Sequence, residues 1–257
     1  VITGIDLSNE VSSTELKIIK DAFHKYLVIF FQEQFEISPE NHIKLGKCFG
    51  DLHIHPAAPK MKSFPEIFEI YTNKNSKISN GAEDFHSDVS CDTKPPLGTM
   101  LQLHILPESG GDTMFANMYM AYDALSNPIK KFLDNLRAFH ESEHFYRGRY
   151  NKIDKSIKYP SAIHPLVRTH PVTKKKALFV NRFFTTKIEG LSKQESVLIL
   201  NYLFEHCEKT DFQIRYRWNK NDMAFWDNRC TLHKAIWDYH PMERKGRRVT
   251  IKGTIPY

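Results

Sequence analysis

His86 and Asp88, in the stretch DFHSDVSCD, stand two positions apart and pair two side-chain types that bind divalent metals. Alone, a His-x-Asp triplet is also a common hydrogen-bonded pair at a strand end. An iron(II) ion that activates oxygen needs three protein ligands on one face, usually two histidines and a carboxylate, so that three positions stay open. Zinc sites draw on the same residue types. Positions two apart on a strand share a face, so His86 and Asp88 are expected to project together from a strand or its end. The third ligand must then come from a distant strand that folds back beside them. His233, in WDNRCTLHKAIWDY, is the candidate. Beyond it lie Arg244, Arg247 and Arg248. A guanidinium holds a carboxylate through two parallel hydrogen bonds, which suits the far carboxylate of 2-oxoglutarate.

The chain that must position these residues has 257 residues, long enough for one large domain with a substantial core. Lys and Arg exceed Asp and Glu by 36 to 30, a net charge of +6. The excess is dispersed apart from ERKGRR at 243–248, so it fits a small anionic partner better than nucleic acid. The four cysteines, Cys48, Cys91, Cys207 and Cys230, include no CxxC pair. That spacing argues against a disulfide framework and for a reducing, cytoplasmic setting. No apolar run approaches the roughly 20 residues of a membrane span. The opening residues do not read as a signal peptide, and since the chain begins at Val1 an initiator, with a short leader, is expected before it.

Element by element, SSTELKIIKDAFHKY reads as a helix, with a capping box (Ser12, Glu15) and apolar positions at Leu16, Ile19, Phe23 and Tyr26. LVIFF reads as a strand. SPENHIKLGKCFG reads as a helix opened by Ser38 and Pro39 and stopped by Gly50. Residues 56–85 read as loop around the apolar EIFEIYT. Strands are expected near Asp88–Cys91 and over 98–106, and helices over 117–125 and 127–138. The polar, aromatic stretch 141–160 reads as an inserted, lid-like segment. HPLVRTHPVTKKKALFVN reads as a hairpin and LSKQESVLILNYLFEHCEK as a helix with a second capping box (Ser192, Glu195). FQIRYRW, NDMAFWDNR and RRVTIKGTI alternate as strands. Strands on both sides of a helical middle predict a mainly β, α+β domain: a sandwich or barrel decorated by helices.

Taken in order, FGDLHIHP, FHSDVS, PPLGTMLQLHILPESGGDTMFANMYMAYDAL, HPLVRTHPVTKKKALFVNRFFTTKI and NDMAFWDNRCTLHKAIWDY give a collinear pattern over nearly the whole chain. The pattern resembles the taurine dioxygenase family. These are iron(II)- and 2-oxoglutarate-dependent oxygenases that also include phenoxyacetate-degrading enzymes and alkylsulfatases. The resemblance implies a double-stranded β-helix, or jelly roll, with helical insertions. It implies Fe(II), with 2-oxoglutarate and O2 as cosubstrates, acting on a small organic anion such as a sulfonate, sulfate ester or carboxylate. His86, Asp88 and His233 would be the iron ligands, and Thr113 and Arg244 the partners of the 2-oxoglutarate carboxylate. Arg248 would sit near the substrate's anionic head and the cosubstrate. His55, Val89 and Phe184 would line the substrate pocket. The implied partner is a small anion, with no nucleic acid or membrane, and self-association is left open.

Two positions depart from the family. A pocket tyrosine is replaced by Ala58, and an asparagine before the iron histidine by Ala82. Taurine itself is therefore not the expected substrate. Competing readings are a zinc hydrolase using the same triad, and a binding protein of the same fold without turnover. A halogenase would need a small residue in place of Asp88. Among neighbours of the candidate site, Arg247 is expected to face away, His53 to be structural, and Phe183 and Trp226 to be core. Asp227 and Asn228 are expected to brace the turn before His233. His104, His164 and His170 carry no assigned role.

Overall fold

A computed structural model of the chain describes residues 1–56, 61–79, 84–149 and 158–257. The first helix, α1 (Ser13–Tyr26), starts where Ser12 and Glu15 close the expected capping box. It buries Ile19 and Phe23, while Tyr26, expected on the same face, is exposed at the last turn. It leads into β1 (Val28–Phe31) and then α2 (Pro39–Lys47), capped by Ser38. Two short strands follow, β2 (Leu52–His53) and β3 (Phe68–Thr72). The latter falls inside the region expected to be loop. It is ordered by pairing, because Thr72 to Phe68 lie opposite Arg244 to Arg248.

The expected strand at Asp88–Cys91 is absent. Val89 takes φ +45°, Asp92 N–H bonds back to the Val89 carbonyl, and the segment is a turn. Next come β4 (Gly98–Ile105), β5 (Thr113–Asn117), α3 (Met118–Asp123) and α4 (Asn127–Leu133). The helix expected to reach 138 stops at Leu133. Residues Arg137–Glu141 form β6 instead, with Ala138 and His140 buried in alternation. The reason is non-local, since β6 lies between two later strands. Of the segment 141–160, a single turn of helix, α5 (Glu143–Tyr146), precedes the described start of β7 (Ser161–Pro165). Residues 150–157 lie outside the described residues.

The expected hairpin forms as β8 (Val167–Thr169) and β9 (Lys176–Leu178), followed by β10 (Thr185–Ile188). The helix α6 (Lys193–Cys207) opens with the second capping box. The chain ends in β11 (Gln213–Tyr216), β12 (Met223–Asp227), β13 (Thr231–Ala235) and β14 (Arg244–Ile251).

Among the described residues every strand-to-strand pairing is antiparallel, and a lone bridge, Ile2 to Phe31, is parallel. The larger sheet runs β1-β12-β4-β14-β2, with β3 also on β14, and a smaller sheet runs β11-β5-β13. A buried cluster joins the two. Phe30, Leu101, Leu103, Ala224 and Trp226 of the larger sheet meet Phe115 and Tyr216 of the smaller. Successive residues of β12 show the period of two. Phe225 turns back to stack on Phe23 of α1 at 4.0 Å, and Trp226 turns forward into the space between sheets. Helices α1 and α2 thus cover one face of the larger sheet, and the other face closes on the smaller one. This is the arrangement expected of a double-stranded β-helix core. A third sheet, β10-β6-β7, and the β8–β9 hairpin extend it. All four cysteines are free thiols, and among the described residues no helix is long and apolar enough to cross a membrane.

Candidate metal centre and its cavity

His233 sits in the middle of β13, opposite Phe115 of β5. His86 belongs to no strand, but it exchanges two backbone hydrogen bonds with His233, N–H to O at 3.0 and 2.8 Å. That single bridge brings the two imidazoles side by side, ring centroids 4.2 Å apart. The turn that replaces the expected strand then swings Asp88 to the same place. The result expected from strand geometry is reached by different means. One ligand atom from each of His86, Asp88 and His233 lies within 4.8 Å of the others, and all three residues are buried.

The protonation states follow from the surroundings. His86 Nδ1 lies 3.1 Å from the Asp84 carbonyl, an acceptor only, which puts the ring proton on Nδ1. Burial, with the neighbouring His86 ring and the Arg248 guanidinium, holds His233 well below the ordinary histidine range, against the pull of Asp88. Burial opposes the charge on Asp88. Arg248, the two histidines and Thr99 nevertheless hold its carboxyl far below the usual carboxylate range. The Arg248 guanidinium donates to Asp88 Oδ1 at 2.6 Å and the Thr99 hydroxyl to Oδ2 at 2.7 Å. The site is therefore two imidazoles and an ionised carboxylate converging on one point. That donor set suits a divalent ion with open positions.

The triad lines a cavity of about 670 Å³, counting its open mouth. Thr113, Arg244, Arg248, His55 and Phe184 line the same cavity. Arg244 and Arg248 lie four apart on β14, both turned inward and buried. Arg247, between them, points away and pairs with Glu36. Arg244 Nε donates to the Gly111 carbonyl at 3.1 Å, while its buried Nη2 has no hydrogen-bond partner among the described residues. Gly110 and Gly111 both hold positive φ, and a Cβ on Gly110 would collide with the Asp238 carboxylate, so this close turn requires glycine. Trp218 Nε1 donates to Thr113 Oγ1 at 3.0 Å, which leaves the Thr113 hydroxyl proton to be given elsewhere. The Phe68 ring carries the Arg248 guanidinium at 4.7 Å and the His55 ring at 5.5 Å.

Other expectations land differently. Val89 does not line the cavity. Its positive φ turns it into the buried cluster of Cys91, Tyr146, Phe183 and Phe184 behind the wall. Phe183 and Trp226, expected in the core, do line it, stacked on His86 at 4.3 Å and beside His233 at 4.6 Å. Sequence reasoning missed Phe68, Ile70, Leu101, Phe145 and Tyr146. The inward alternation of β3 and β4 could have found the first three. Ala58 and Ala82 lie outside the described residues. His53 is held by Asp92 at 2.7 Å.

A second group, His170, Asp227 and Cys230, also brings its donor atoms within 4.8 Å. Its carboxylate is already taken. Arg229 grips Asp227 through Nε at 2.8 Å and Nη2 at 2.6 Å, and His170 adds a third contact at 3.0 Å. A guanidinium occupies the place a cation would need, so this cluster braces the turn between β12 and β13.

The taurine catabolism dioxygenase TauD, TfdA family matches this chain over residues 2–250. An alkylsulfatase of Acinetobacter baylyi is 34% identical over 99% of this chain and 82% of its own length. An alpha-ketoglutarate-dependent sulfate ester dioxygenase of Pseudomonas putida is 30% identical over 99% of this chain and 86% of its own. Among solved structures, a taurine dioxygenase from Burkholderia xenovorans superposes with a TM-score of 0.84 at 31% identity, covering 98% of this chain and 86% of that one.

Proposed function

The chain belongs to the taurine catabolism dioxygenase TauD, TfdA family, and from that premise we propose how its own residues serve a 2-oxoglutarate-dependent hydroxylation of a small organic anion. The observation that carries the reading is the sharing of one cavity. The His86–Asp88–His233 triad and the inward pair Arg244 and Thr113 all line it.

In this reading His86 Nε2, Asp88 Oδ1 and His233 Nε2 hold iron(II). When bound, iron with 2-oxoglutarate and O2 supplies oxidation of a C–H bond, with succinate and CO2 as co-products. The protein supplies placement. Arg244 offers its inward Nη2, and Thr113 its hydroxyl proton, to the far carboxylate of 2-oxoglutarate. Arg248 and His55, spaced by the Phe68 ring, face the anionic head of the substrate. Phe145, Tyr146, Phe183 and Phe184 exclude water and pack the organic part. If the hydroxylated carbon carries sulfonate or an ester oxygen, the product breaks down to an aldehyde and the released anion.

The wall also bears on the choice of anion. Among the described residues the only carboxylate lining the cavity is Asp88, already bonded to Arg248 and Thr99. A substrate ammonium finds no second acid there, whereas an alkyl or aryl group meets apolar rings. We therefore favour an anion with an apolar body over taurine.

The test is succinate release from 2-oxoglutarate over a panel of sulfonates, alkyl sulfates and aryloxy acids, with Fe(II) and with Zn(II). The expected result is release that requires Fe(II), O2 and one class of anion. Turnover supported by Zn(II) without O2 consumption would overturn the reading.

A further inference from the structure

We propose that Thr99 and Asn228 are positioning residues for Asp88, forming a one-way hydrogen-bond relay that fixes one carboxylate oxygen so that only the other faces His86 and His233. The proposal rests on the reading of that triad as the metal site.

The direction of the relay is set by donors that cannot accept. Trp226 Nε1 and the backbone N–H of Asp88 both point at one terminus of the Asn228 amide, at 3.0 and 3.3 Å. Indole and peptide nitrogens only donate, so that terminus must be Oδ1. The amide Nδ2 is thereby turned to Thr99 Oγ1, 2.9 Å away. A hydroxyl has one proton. With a lone pair of Thr99 taken by the amide, the proton goes to Asp88 Oδ2 at 2.7 Å. The competing acceptor, Thr250 Oγ1, is farther off at 3.4 Å. The Ser87 hydroxyl adds a bond to the Asn228 carbonyl at 2.8 Å, and Asn228 N–H bonds the Leu97 carbonyl at 3.0 Å. Thr99, Asn228 and Asp88 are all essentially excluded from solvent.

One asparagine therefore holds the Asp88 backbone directly and the Asp88 side chain through Thr99. Through Trp226, which packs beside His233 at 4.6 Å, it also touches the wall of the second ligand. Oδ2 is tied back into the larger sheet. Oδ1 is the oxygen that lies 3.9 Å from His233 Nε2. A carboxylate clamped in this way can give a shared ion one oxygen but not two. Bidentate binding would use up a position that a chelating cosubstrate or O2 needs. Partners of this kind typically change metal affinity by 10–100-fold when removed.

The experiment measures Mn(II) affinity of the whole chain by titration calorimetry, together with the KM for 2-oxoglutarate at saturating Fe(II). Thr99→Val keeps the shape of the side chain and removes the hydroxyl. It should weaken Mn(II) binding about 10–100-fold and raise the 2-oxoglutarate KM, because the released Oδ2 can then compete for the position the cosubstrate needs. Thr99→Ser, which restores the hydroxyl, should recover affinity to within a few-fold of wild type. Asn228→Ala should weaken binding in the same direction, and the double variant should be little worse than Asn228→Ala alone, because the Thr99 hydroxyl acts through the relay that Asn228 already cuts. Wild-type Mn(II) affinity in Thr99→Val would overturn the proposal. So would a Thr99→Ser protein as poor as Thr99→Val, since packing rather than the hydroxyl would then be at work. Asp88→Ala separates the two levels. Its expected loss of Mn(II) binding supports the metal site whatever Thr99 does, and its wild-type binding would overturn both.

Discussion

At the scale of single residues, β14 presents two arginines with different duties and a third that serves as their control. Arg244 is buried and holds Gly111 through Nε, while its buried Nη2 has no hydrogen-bond partner among the described residues. Arg247, one strand face away, is spent on Glu36. Arg244→Ala should therefore raise the KM for 2-oxoglutarate about tenfold to over a hundredfold, the range for losing a charge-assisted bond of about 1.5–3 kcal/mol. Arg247→Ala should shift it by less than about twofold. Steady-state succinate assays decide this, and equal effects from both changes would mean that the anchor lies elsewhere. Arg248 is a less clean target than its sequence position suggests. It donates to Asp88 Oδ1, so its removal also disturbs the proposed metal ligand. The triad residues themselves were legible as types at a spacing. What the sequence hid was how Asp88 arrives, because a positive φ at Val89 and a lone backbone bridge leave no periodic trace.

At the scale of elements, local signals were readable wherever the physics is local. Both capping boxes, at Ser12 and Ser192, mark helix starts. Strands whose order comes from distant partners were missed. β3 exists because β14 lies beside it, and β6 because β7 and β10 flank it. The turn from β12 to β13 owes its shape to one local and one remote group, with Asp227 gripped by Arg229, two residues on, and by His170 of the β8–β9 hairpin. Burial opposes the charge on Asp227, but Arg229 and His170 hold its carboxyl well below the ordinary range. A carboxyl lowered on folding binds fewer protons folded than unfolded, so its contribution to stability is complete above the unfolded value of about 3.9 and erodes as pH falls from there. Asp227→Asn should flatten the acid side of a plot of melting temperature against pH. At neutral pH it should also destabilise the fold by about 3–5 kcal/mol, since Arg229 is left buried without its charge partner. An unchanged acid limb in the variant would show that other carboxylates govern acid unfolding.

At the scale of the whole molecule, the densest basic run of the chain, ERKGRR, is folded into an inner strand. Arg244 and Arg248 are buried and line the cavity, and Arg247 turns to an ion pair with Glu36, so most of this charge lies inside the fold rather than on its surface. The cavity around it joins the polar anchors of the triad to a set of aromatic rings. Phe145 and Tyr146 come from the stretch that reads as an insertion, and Phe183 and Phe184 from the loop before β10. Burying each further CH₂ of a substrate against such rings is worth about 0.8 kcal/mol. Across a series of linear alkyl sulfonates or sulfates, kcat/KM should therefore rise about three- to fourfold per methylene until the chain outgrows the cavity. Taurine, whose ammonium meets no unpaired acid among the described lining residues, should fall below the alkyl sulfonate of equal length. His55→Ala should lower kcat/KM for every anion by about tenfold to a hundredfold, the worth of a hydrogen bond to a charged group, while the KM for 2-oxoglutarate stays near wild type. A wild-type preference for taurine over every longer anion would refute the apolar body inferred for the substrate.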